Sequence, residues 1–365
     1  MSKDKTTLIG YSLDELQNFS IKYGEAPYRG NQVFNSLYIH NATSFDDLTT
    51  LSKPLRNKIS DQFSLELPIE LVLFQQSKID ETIKFLFKLE DNNFIETVLI
   101  PSTKFEEETR LTLCVSTQVG CPLDCKFCAT GTMGFKKNLS VGEIISQIIF
   151  VKRFLKKENF SFGKKITNIV FMGMGEPFLN YNNLIKSIEI ITNGFNITAK
   201  KITVSTVGYA DKIIMFSKEK IKPKLAISLH SLNDDLRNEL MPINKKFPLT
   251  ELIDATKIYQ FNSRHRITFE YILFDNLNDT KEDINNLVKL SNEINCKINL
   301  IPYHSIEFTN VENEFQKKLK PSSKEKMNNF ANSLREQNVA VFVRSSSGED
   351  INAACGQLAI SNKNN

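Results

Sequence analysis

The sequence lacks the features that direct a chain into or across a membrane. None of its stretches approaches the roughly 18 apolar residues of a membrane-spanning helix. Its first five residues are polar and lead into no apolar core, so we expect no signal peptide and a cytoplasmic protein. Without an export signal, its six cysteines imply a reducing compartment, where thiols serve metals or chemistry rather than structural disulfides.

A strong net charge is also absent. The 46 basic and 42 acidic residues leave +4, which neither requires nor excludes nucleic-acid binding. Each local basic cluster is most simply a solvated helix face or loop. Together they permit contact with RNA phosphates. These clusters are Lys136-Lys137, Lys152-Arg153, Lys156-Lys157, Lys245-Lys246, Lys317-Lys318 and Lys320.

Hydrophobic patterning predicts three parts. Residues 1–65 carry short helical patterns, beginning with a capped helix start at Ser12, and form a small helical accessory domain. Residues 66–109 alternate as strands around a polar turn and form a β-ribbon extension. Residues 110–365 form the main body.

The main body repeats strand, loop and helix, which predicts an α/β fold of parallel strands with crossover helices. Six such units favour a partial (β/α)6 barrel, with the active site at the carboxyl ends of its strands. A doubly wound sheet is the competing fold, but no Gly-rich dinucleotide fingerprint opens the first unit.

Three cysteines in one loop carry the clearest chemical signal. Cys121, Cys125 and Cys128 have C-x3-C-x2-C spacing, and three thiolates would leave one iron of a four-iron cluster open. The loop resembles that of the radical S-adenosylmethionine (SAM) enzymes, in which the open iron chelates SAM. Structural zinc is the alternative, but zinc sites usually add a second ligand pair, and Cys296 has no partner at ligand spacing.

Small and polar residues at the following strand ends are candidate SAM contacts. Gly175 and Glu176 follow one strand, where backbone can approach a zwitterion and a carboxylate can meet its ammonium group. Ser205 ends the next strand, and Ser228, Leu229 and His230 end another. For His230 we favour packing or hydrogen bonding over catalysis.

Two further cysteines stand apart from the cluster loop. Cys114 lies on the strand that enters the loop, and Cys355 is flanked by small residues after the last strand. A buried inert thiol is the ordinary interpretation of an isolated cysteine, and we apply it to Cys296. The small neighbours of Cys355 instead suit a flexible loop that brings its sulfur to a ligand.

The combined motifs resemble the RlmN family over about Tyr28 to Leu358. Members of that family are radical SAM enzymes that methylate carbon 2 of an adenosine in 23S rRNA and in tRNA. The segments that carry the resemblance are Glu96-Thr97-Val98, Cys114, the cluster loop with Ala129-Thr130-Gly131, Met172 to Pro177, Ser228-Leu229-His230 and Ala353 to Leu358.

The resemblance implies a [4Fe-4S] cluster, two SAM molecules per turnover, and roles for three residues. One SAM would methylate Cys355, and a radical generated from the second would activate that methyl group for addition to adenine. Cys114 would resolve the protein–RNA adduct through a transient disulfide with Cys355. Glu96 matches the proposed proton acceptor, although an exposed strand carboxylate is its simpler interpretation.

One position departs from the family pattern. His304 stands where members usually carry an Asn that contacts SAM, and imidazole can also form a hydrogen bond there. We further expect a flipped or single-stranded RNA target, a flavodoxin or ferredoxin as electron donor, and a monomer.

The alternatives are a Cfr-type enzyme acting on carbon 8, a non-catalytic iron–sulfur or zinc RNA-binding protein, and a radical SAM enzyme with a small-molecule substrate. The last would leave Cys114 and Cys355 without a purpose.

Overall fold

The computed structural model describes residues 5–103, 109–158, 160, 163, 165–309 and 313–359. Its first part is helical and is tied together by a short parallel strand pair. The first helix begins with a capping box, because Ser12 Oγ accepts from the Glu15 amide and the Glu15 carboxylate accepts from the Ser12 amide. The elements are β1 (Thr6–Thr7), α1 (Leu13–Lys22), α2 (Tyr28–Phe34), a π-helical turn (Asn35–Ile39), a 3-10 turn (Phe45–Asp47), α3 (Lys53–Ser60) and β2 (Phe63–Ser64).

The remaining strands form one large sheet and one small pair. They are β3 (Ile69–Gln76), β4 (Ile83–Leu89), β5 (Phe94–Thr103), β6 (Thr109–Cys114), β7 (Gln118–Gly120), β8 (Phe135–Asn138), β9 (Asn168–Phe171), β10 (Ile202–Thr206), β11 (Lys224–Ser228), β12 (Ile267–Leu273), β13 (Cys296–Pro302) and β14 (Val341–Val343). In the large sheet the order is β14-β13-β12-β11-β10-β9-β6-β5-β4-β3, and β7 pairs with β8.

The large sheet is parallel from β6 to β14 and antiparallel from β3 to β6. The predicted β-ribbon is therefore hydrogen-bonded to the first barrel strand, with Val98 opposite Cys114. This pairing extends the barrel wall toward the N-terminal part of the chain.

Nine helices lie between or beside the strands of the described part of the main body. They are α4 (Ala129–Thr132), α5 (Val141–Lys157), α6 (Tyr181–Gly194), α7 (Ala210–Phe216), α8 (Asp234–Leu240), α9 (Leu249–Ser263), α10 (Lys281–Glu293), α11 (Glu314–Lys317) and α12 (Lys324–Glu336). Further 3-10 turns span Pro177–Asn180, Ala199–Lys201, Pro242–Lys245, Glu307–Thr309 and Glu349–Ile351. Among the described residues, no helix has both the length and the apolar character needed to cross a bilayer.

Alternation along the strands separates the core from the barrel interior. Leu111 and Leu113 on β6 and Leu225 and Ile227 on β11 are fully or almost fully buried in the apolar core. Their neighbours face the opposite side, because successive side chains on a strand point to opposite faces. That inner face carries Cys114 and its counterparts on the other strands, and we call it the lumen.

The predicted α/β fold with parallel strands and crossover helices is confirmed. Sequence reasoning missed the helices α7, α8 and α9, the short helices α4 and α11, and the small β7–β8 pair. Short strands such as β7, with three residues, give too few alternations to be recognised.

Candidate active site

The cluster loop lies at the carboxyl end of the barrel. Its three cysteines follow β7 and precede α4. The loop is fixed on one side by a hydrogen bond from the Lys126 amide to the Leu240 carbonyl oxygen at 2.9 Å, and internally by one from the Cys128 amide to the Cys125 carbonyl oxygen at 3.1 Å. The backbone thus holds the loop against the end of α8.

Most of the predicted site residues line a single cavity beside this loop. The cavity holds about 850 Å³ of empty space, including the part that is open to solvent. Predicted residues on its wall are Cys121, Cys125, Cys128, Gly175, Glu176, Ser205, Ser228, His230 and Cys355. The side chain of Leu229 is fully buried and is not on this wall, nor is His304.

The three loop thiols form a donor set that is unfavourable without a metal group. Burial raises the pKa of Cys121 to about 12, and the charge of Cys128 adds to the effect. The pKa of Cys125 is also raised, by burial and then by the other two thiols. Three thiolates could coexist here only with a cationic partner, which fits an iron–sulfur cluster. No three His, Cys, Asp or Glu side chains in the described ranges are arranged around a single ion; a cluster instead takes each thiolate on a separate iron.

The turn after β9 forms a narrow cradle. Gly175 has a φ of +96°, and a Cβ there would lie 2.4 Å from Gln118 Cβ, so no other residue fits without movement. Next to it the buried Glu176 carboxylate accepts hydrogen bonds from the amides of Phe178 at 3.1 Å and Val207 at 2.9 Å. Burial raises the pKa of Glu176 to about 7. The cradle therefore presents backbone and a carboxyl group to the cavity.

His230 agrees with the packing and hydrogen-bonding interpretation. Its Nδ1 accepts a hydrogen bond from the Ile272 amide at 3.0 Å, and its ring meets the Phe127 ring edge-on at 4.5 Å between centroids. Burial, with the nearby Arg237 charge, lowers the pKa of His230 to about 3. The imidazole is neutral at physiological pH and braces the aromatic residue of the cluster loop.

The loop that carries Cys355 is hydrogen-bonded to the cluster loop. The Ala129 amide donates to the Gly356 carbonyl oxygen at 2.7 Å, and Thr130 Oγ1 donates to the Leu358 carbonyl oxygen at 2.6 Å. On its other side, Lys84 Nζ donates to the Asn352 carbonyl oxygen at 3.3 Å. Cys355 is therefore held directly beside the three cluster cysteines.

Cys114 and Cys355 are close enough to influence one another's ionisation. The pKa of Cys114 is raised to about 12, mainly by burial and then by the charge of Cys355. The pKa of Cys355 is raised to about 11 by its enclosed surroundings and then by Glu270, although its side chain is exposed to the cavity. Both thiols are free in the structure, as are the other four cysteines.

Glu96 is buried, which excludes the exposed-carboxylate interpretation. It is 4% exposed, and its Oε1 lies 3.1 Å from Lys84 Nζ. Burial raises its pKa to about 6, while Lys84 and the Ala359 amide act in the opposite direction. Because Val98 lies opposite Cys114 and side chains alternate, Glu96 shares the lumen face with Cys114.

His304 contacts the loop before Cys355. Its Nε2 lies 2.7 Å from Ser346 Oγ, and its Nδ1 lies 3.5 Å from Glu349 Oε1. Burial lowers the pKa of His304, and Glu349 partly offsets that effect. The imidazole joins the segment after β13 to the Cys355 loop.

Two charged residues of the site were missed in the sequence. Glu270 lines the cavity from β12 and accepts a hydrogen bond from Asn299 Nδ2 at 3.0 Å. A charged residue within the largely apolar strand Ile267–Leu273 was the sequence feature that could have identified it. Arg237 is fully buried beneath the cavity, and its guanidinium donates to the carbonyl oxygens of Val207, Ser228 and Leu229. Nothing in the sequence of α8 distinguishes Arg237 from a surface residue.

Comparison with known proteins identifies the family. Residues 115–290 match the family model of the radical SAM superfamily, and residues 6–65 match that of the ribosomal RNA large subunit methyltransferase N-terminal domain. The chain is 41% identical to the probable dual-specificity RNA methyltransferase RlmN of Spiroplasma citri, over 98% of each chain. It belongs to the RlmN family.

Other relatives agree with this assignment. The probable dual-specificity RNA methyltransferase RlmN of Chlorobium phaeobacteroides is 43% identical over 95% of this chain and 93% of its own. A crystal structure of a radical SAM methyltransferase from Sphaerobacter thermophilus superimposes with a TM-score of 0.84 at 38% identity, covering 96% of this chain and 98% of that one. This RlmN-family chain is therefore an enzyme, a radical SAM methyltransferase that acts on RNA, and its superfamily uses a [4Fe-4S] cluster and SAM.

Proposed function

We propose that this enzyme methylates carbon 2 of an adenosine in 23S rRNA and in tRNA, with Cys355 as the methyl carrier. The observation that carries the proposal is the convergence of Cys355, Cys114 and the three loop cysteines at one end of the barrel. The hydrogen bond from Ala129 to Gly356 holds the loops of Cys128 and Cys355 together. The name of the relatives, dual-specificity RNA methyltransferase, supports RNA as the substrate, and the match of residues 6–65 to a ribosomal RNA large subunit methyltransferase domain supports rRNA. Transfer to tRNA and to carbon 2 is what the resemblance to the RlmN family implies.

The binding roles follow from the cavity wall. Cys121, Cys125 and Cys128 would hold the cluster, which supplies the electron that cleaves SAM reductively. Gly175 and Glu176 would receive the amino-acid part of SAM in the cradle. Ser205, Ser228 and His230 would contact the rest of the molecule from the next strand ends. Leu229 would contribute to SAM binding through its backbone. His304 would contribute by holding the Cys355 loop that it contacts.

The three catalytic residues have surroundings that suit their proposed roles. Cys355 is exposed to the cavity, so its sulfur can receive a methyl group from one SAM before the second is used. Cys114 is buried at the end of β6 and would attack the Cys355 sulfur of the protein–RNA adduct. The bond between that sulfur and the transferred carbon would break, and the carbon would take up a proton to complete the methyl group. The methylated RNA would leave, and a Cys114–Cys355 disulfide would remain on the enzyme. Glu96, with a pKa of about 6, is ionised at neutral pH and can accept the proton of the adenine ring.

The three parts of the chain would have separate roles. Residues 1–65 would form an accessory domain that binds RNA, residues 66–109 a ribbon, and residues 110–365 the catalytic barrel. A reduced flavodoxin or ferredoxin would deliver the electron, and the enzyme would act as a monomer.

The test is nucleoside mass spectrometry on rRNA and tRNA incubated anaerobically with reconstituted enzyme, SAM and reductant. We expect 2-methyladenosine in both RNAs. 8-Methyladenosine would move the enzyme to Cfr-type chemistry and refute the proposed regiochemistry.

A second measurement addresses the methyl carrier. Cys355→Ala should lose methyl transfer while it still assembles the cluster and cleaves SAM. Methyl transfer that survives this substitution would refute the carrier role.

A further inference from the structure

Three basic side chains share the lumen face near the amino-terminal ends of their strands, and a fourth follows the end of β14. Arg110 lies on β6 in the same alternation as Cys114, and Lys224 lies on β11 in the same alternation as Ser228. Lys297 is likewise in phase with Ile301, which lines the cavity. Arg344 follows β14 and is joined to β13 by its amide, which donates to the Leu300 carbonyl oxygen at 2.8 Å.

These four cations are close enough to repel one another. Burial and then the charge of Arg344 lower the pKa of Arg110, and burial and then the charge of Arg110 lower that of Lys224. Burial is the main cause that lowers the pKa of Lys297. Glu270 is the largest charge effect and acts in the opposite direction, while Lys224, Arg344 and Arg110 each lower the pKa further. We call this group the lumen basic cluster.

In the part of the chain that the structure describes, none of the four side chains of the lumen basic cluster forms an ion pair with a carboxylate. Glu270 interacts with Arg344 and Lys297 at longer range, but its Oε1 already accepts a hydrogen bond from Asn299. Like charges that converge in a concave surface raise the local concentration of anions.

We infer that the lumen basic cluster binds the phosphates that flank the target adenosine of the RNA substrate. The inference deepens the proposed function and rests on it, since it takes Cys355 as the sulfur that reaches the base. The charge of Arg344 acts on both Cys355 and Cys114, so this member of the lumen basic cluster lies near the reacting sulfurs. A nucleotide whose base reaches Cys355 brings its two neighbouring phosphates to this region.

Phe342 adds a surface for a base. It lies on β14, is 51% exposed, and its ring centroid is 5.8 Å from Lys297 Nζ. An exposed aromatic ring beside basic groups is the usual combination for binding single-stranded RNA, because bases stack on the ring while cations bind phosphates. This combination favours RNA over the acidic surface of an electron-donor protein.

The experiment compares Lys224→Gln/Lys297→Gln with Lys289→Gln/Lys324→Gln, which removes the same charge from exposed positions on α10 and α12. The RNA affinity of the enzyme, loaded with its [4Fe-4S] cluster, is measured at a series of salt concentrations. We expect the first variant to bind RNA more weakly and its log–log salt slope to fall by about 1.4, since each lost single-strand phosphate contact contributes about 0.7. The control should keep the wild-type slope, and Lys224→Arg/Lys297→Arg should restore it.

Two other readouts separate this inference from competing explanations. SAM cleavage by chemical reductant without RNA should be unchanged in Lys224→Gln/Lys297→Gln, which checks that the variant is folded and loaded. An unchanged salt dependence of RNA affinity would overturn the inference. A defect confined to SAM cleavage driven by reduced flavodoxin would also overturn it, because the lumen basic cluster would then bind the electron donor. Failure of the wild-type enzyme to form 2-methyladenosine would instead refute the proposed function.

Discussion

Replacing Lys84 by Met tests how the buried Glu96 carboxylate is kept ionised. Lys84 Nζ lies 3.1 Å from Glu96 Oε1, and both side chains are less than a tenth exposed. With Lys84 present, the Glu96 pKa is already raised from 4.5 to about 6, which corresponds to about 2 kcal/mol against the charged form. Removing one partner of a buried pair typically costs about 3–5 kcal/mol, because the other charge is left uncompensated.

The cost depends on pH in a predictable direction. A carboxyl whose pKa is higher in the folded than in the unfolded state destabilises the fold as pH rises from the unfolded pKa through the folded one. Lys84→Met raises the folded pKa of Glu96 further, so its loss of stability should be small near pH 5 and approach the full amount well above pH 6.

Two assays measure this effect. Urea unfolding at acid and alkaline pH gives the free energy of unfolding, and the pH profile of RNA methylation gives the ionisation of Glu96. The acid limb of that profile should move to higher pH, because a protonated Glu96 cannot accept a proton. Lys88→Met is the matched control, since Lys88 lies on the same face of β4 and has no carboxylate ion pair among the described residues. Equal effects of the two substitutions would refute the reasoning.

Three further substitutions test other parts of the site. Arg237→Met should lower the free energy of unfolding, measured in urea, by about 3 kcal/mol or more. Three backbone carbonyl oxygens would lose a buried donor, at about 1–3 kcal/mol each. A loss no greater than that of Arg335→Met, at an exposed arginine on α12, would contradict this. Gly175→Ala should abolish SAM binding by calorimetry but retain the iron content, because its Cβ would clash with Gln118; normal affinity would refute the cradle. His304→Asn should retain SAM affinity in the same assay, since Asn can also hydrogen-bond Ser346; a large loss would contradict its placement.

Local sequence motifs indicated the radical SAM superfamily, and the family comparison confirms it. The cluster ligands lie within eight residues of one another, so their spacing alone indicates a cluster. Repeated strand and helix patterns likewise determined the α/β fold, because hydrophobic periodicity is a short-range property.

Contacts between residues that are distant in sequence could not be predicted from local patterns. The burial of Glu96 and its pairing with Lys84 follow from the antiparallel contact of β4 and β5. The pairing of β5 and β6 places Glu96 on the same face of the sheet as Cys114. His304 was expected at SAM, but the structure shows its contacts with Ser346 and Glu349 of the Cys355 loop.

The sequence by itself thus determined which residue types are available to the site and the order of the barrel units, since both can be recognised from short segments of the chain. Only the tertiary structure decided which charges are buried, which are paired and which converge. Arg237 and the lumen basic cluster illustrate the difference. Their surroundings come from strands and loops distant in sequence, and burial and electrostatic coupling depend on distance in space.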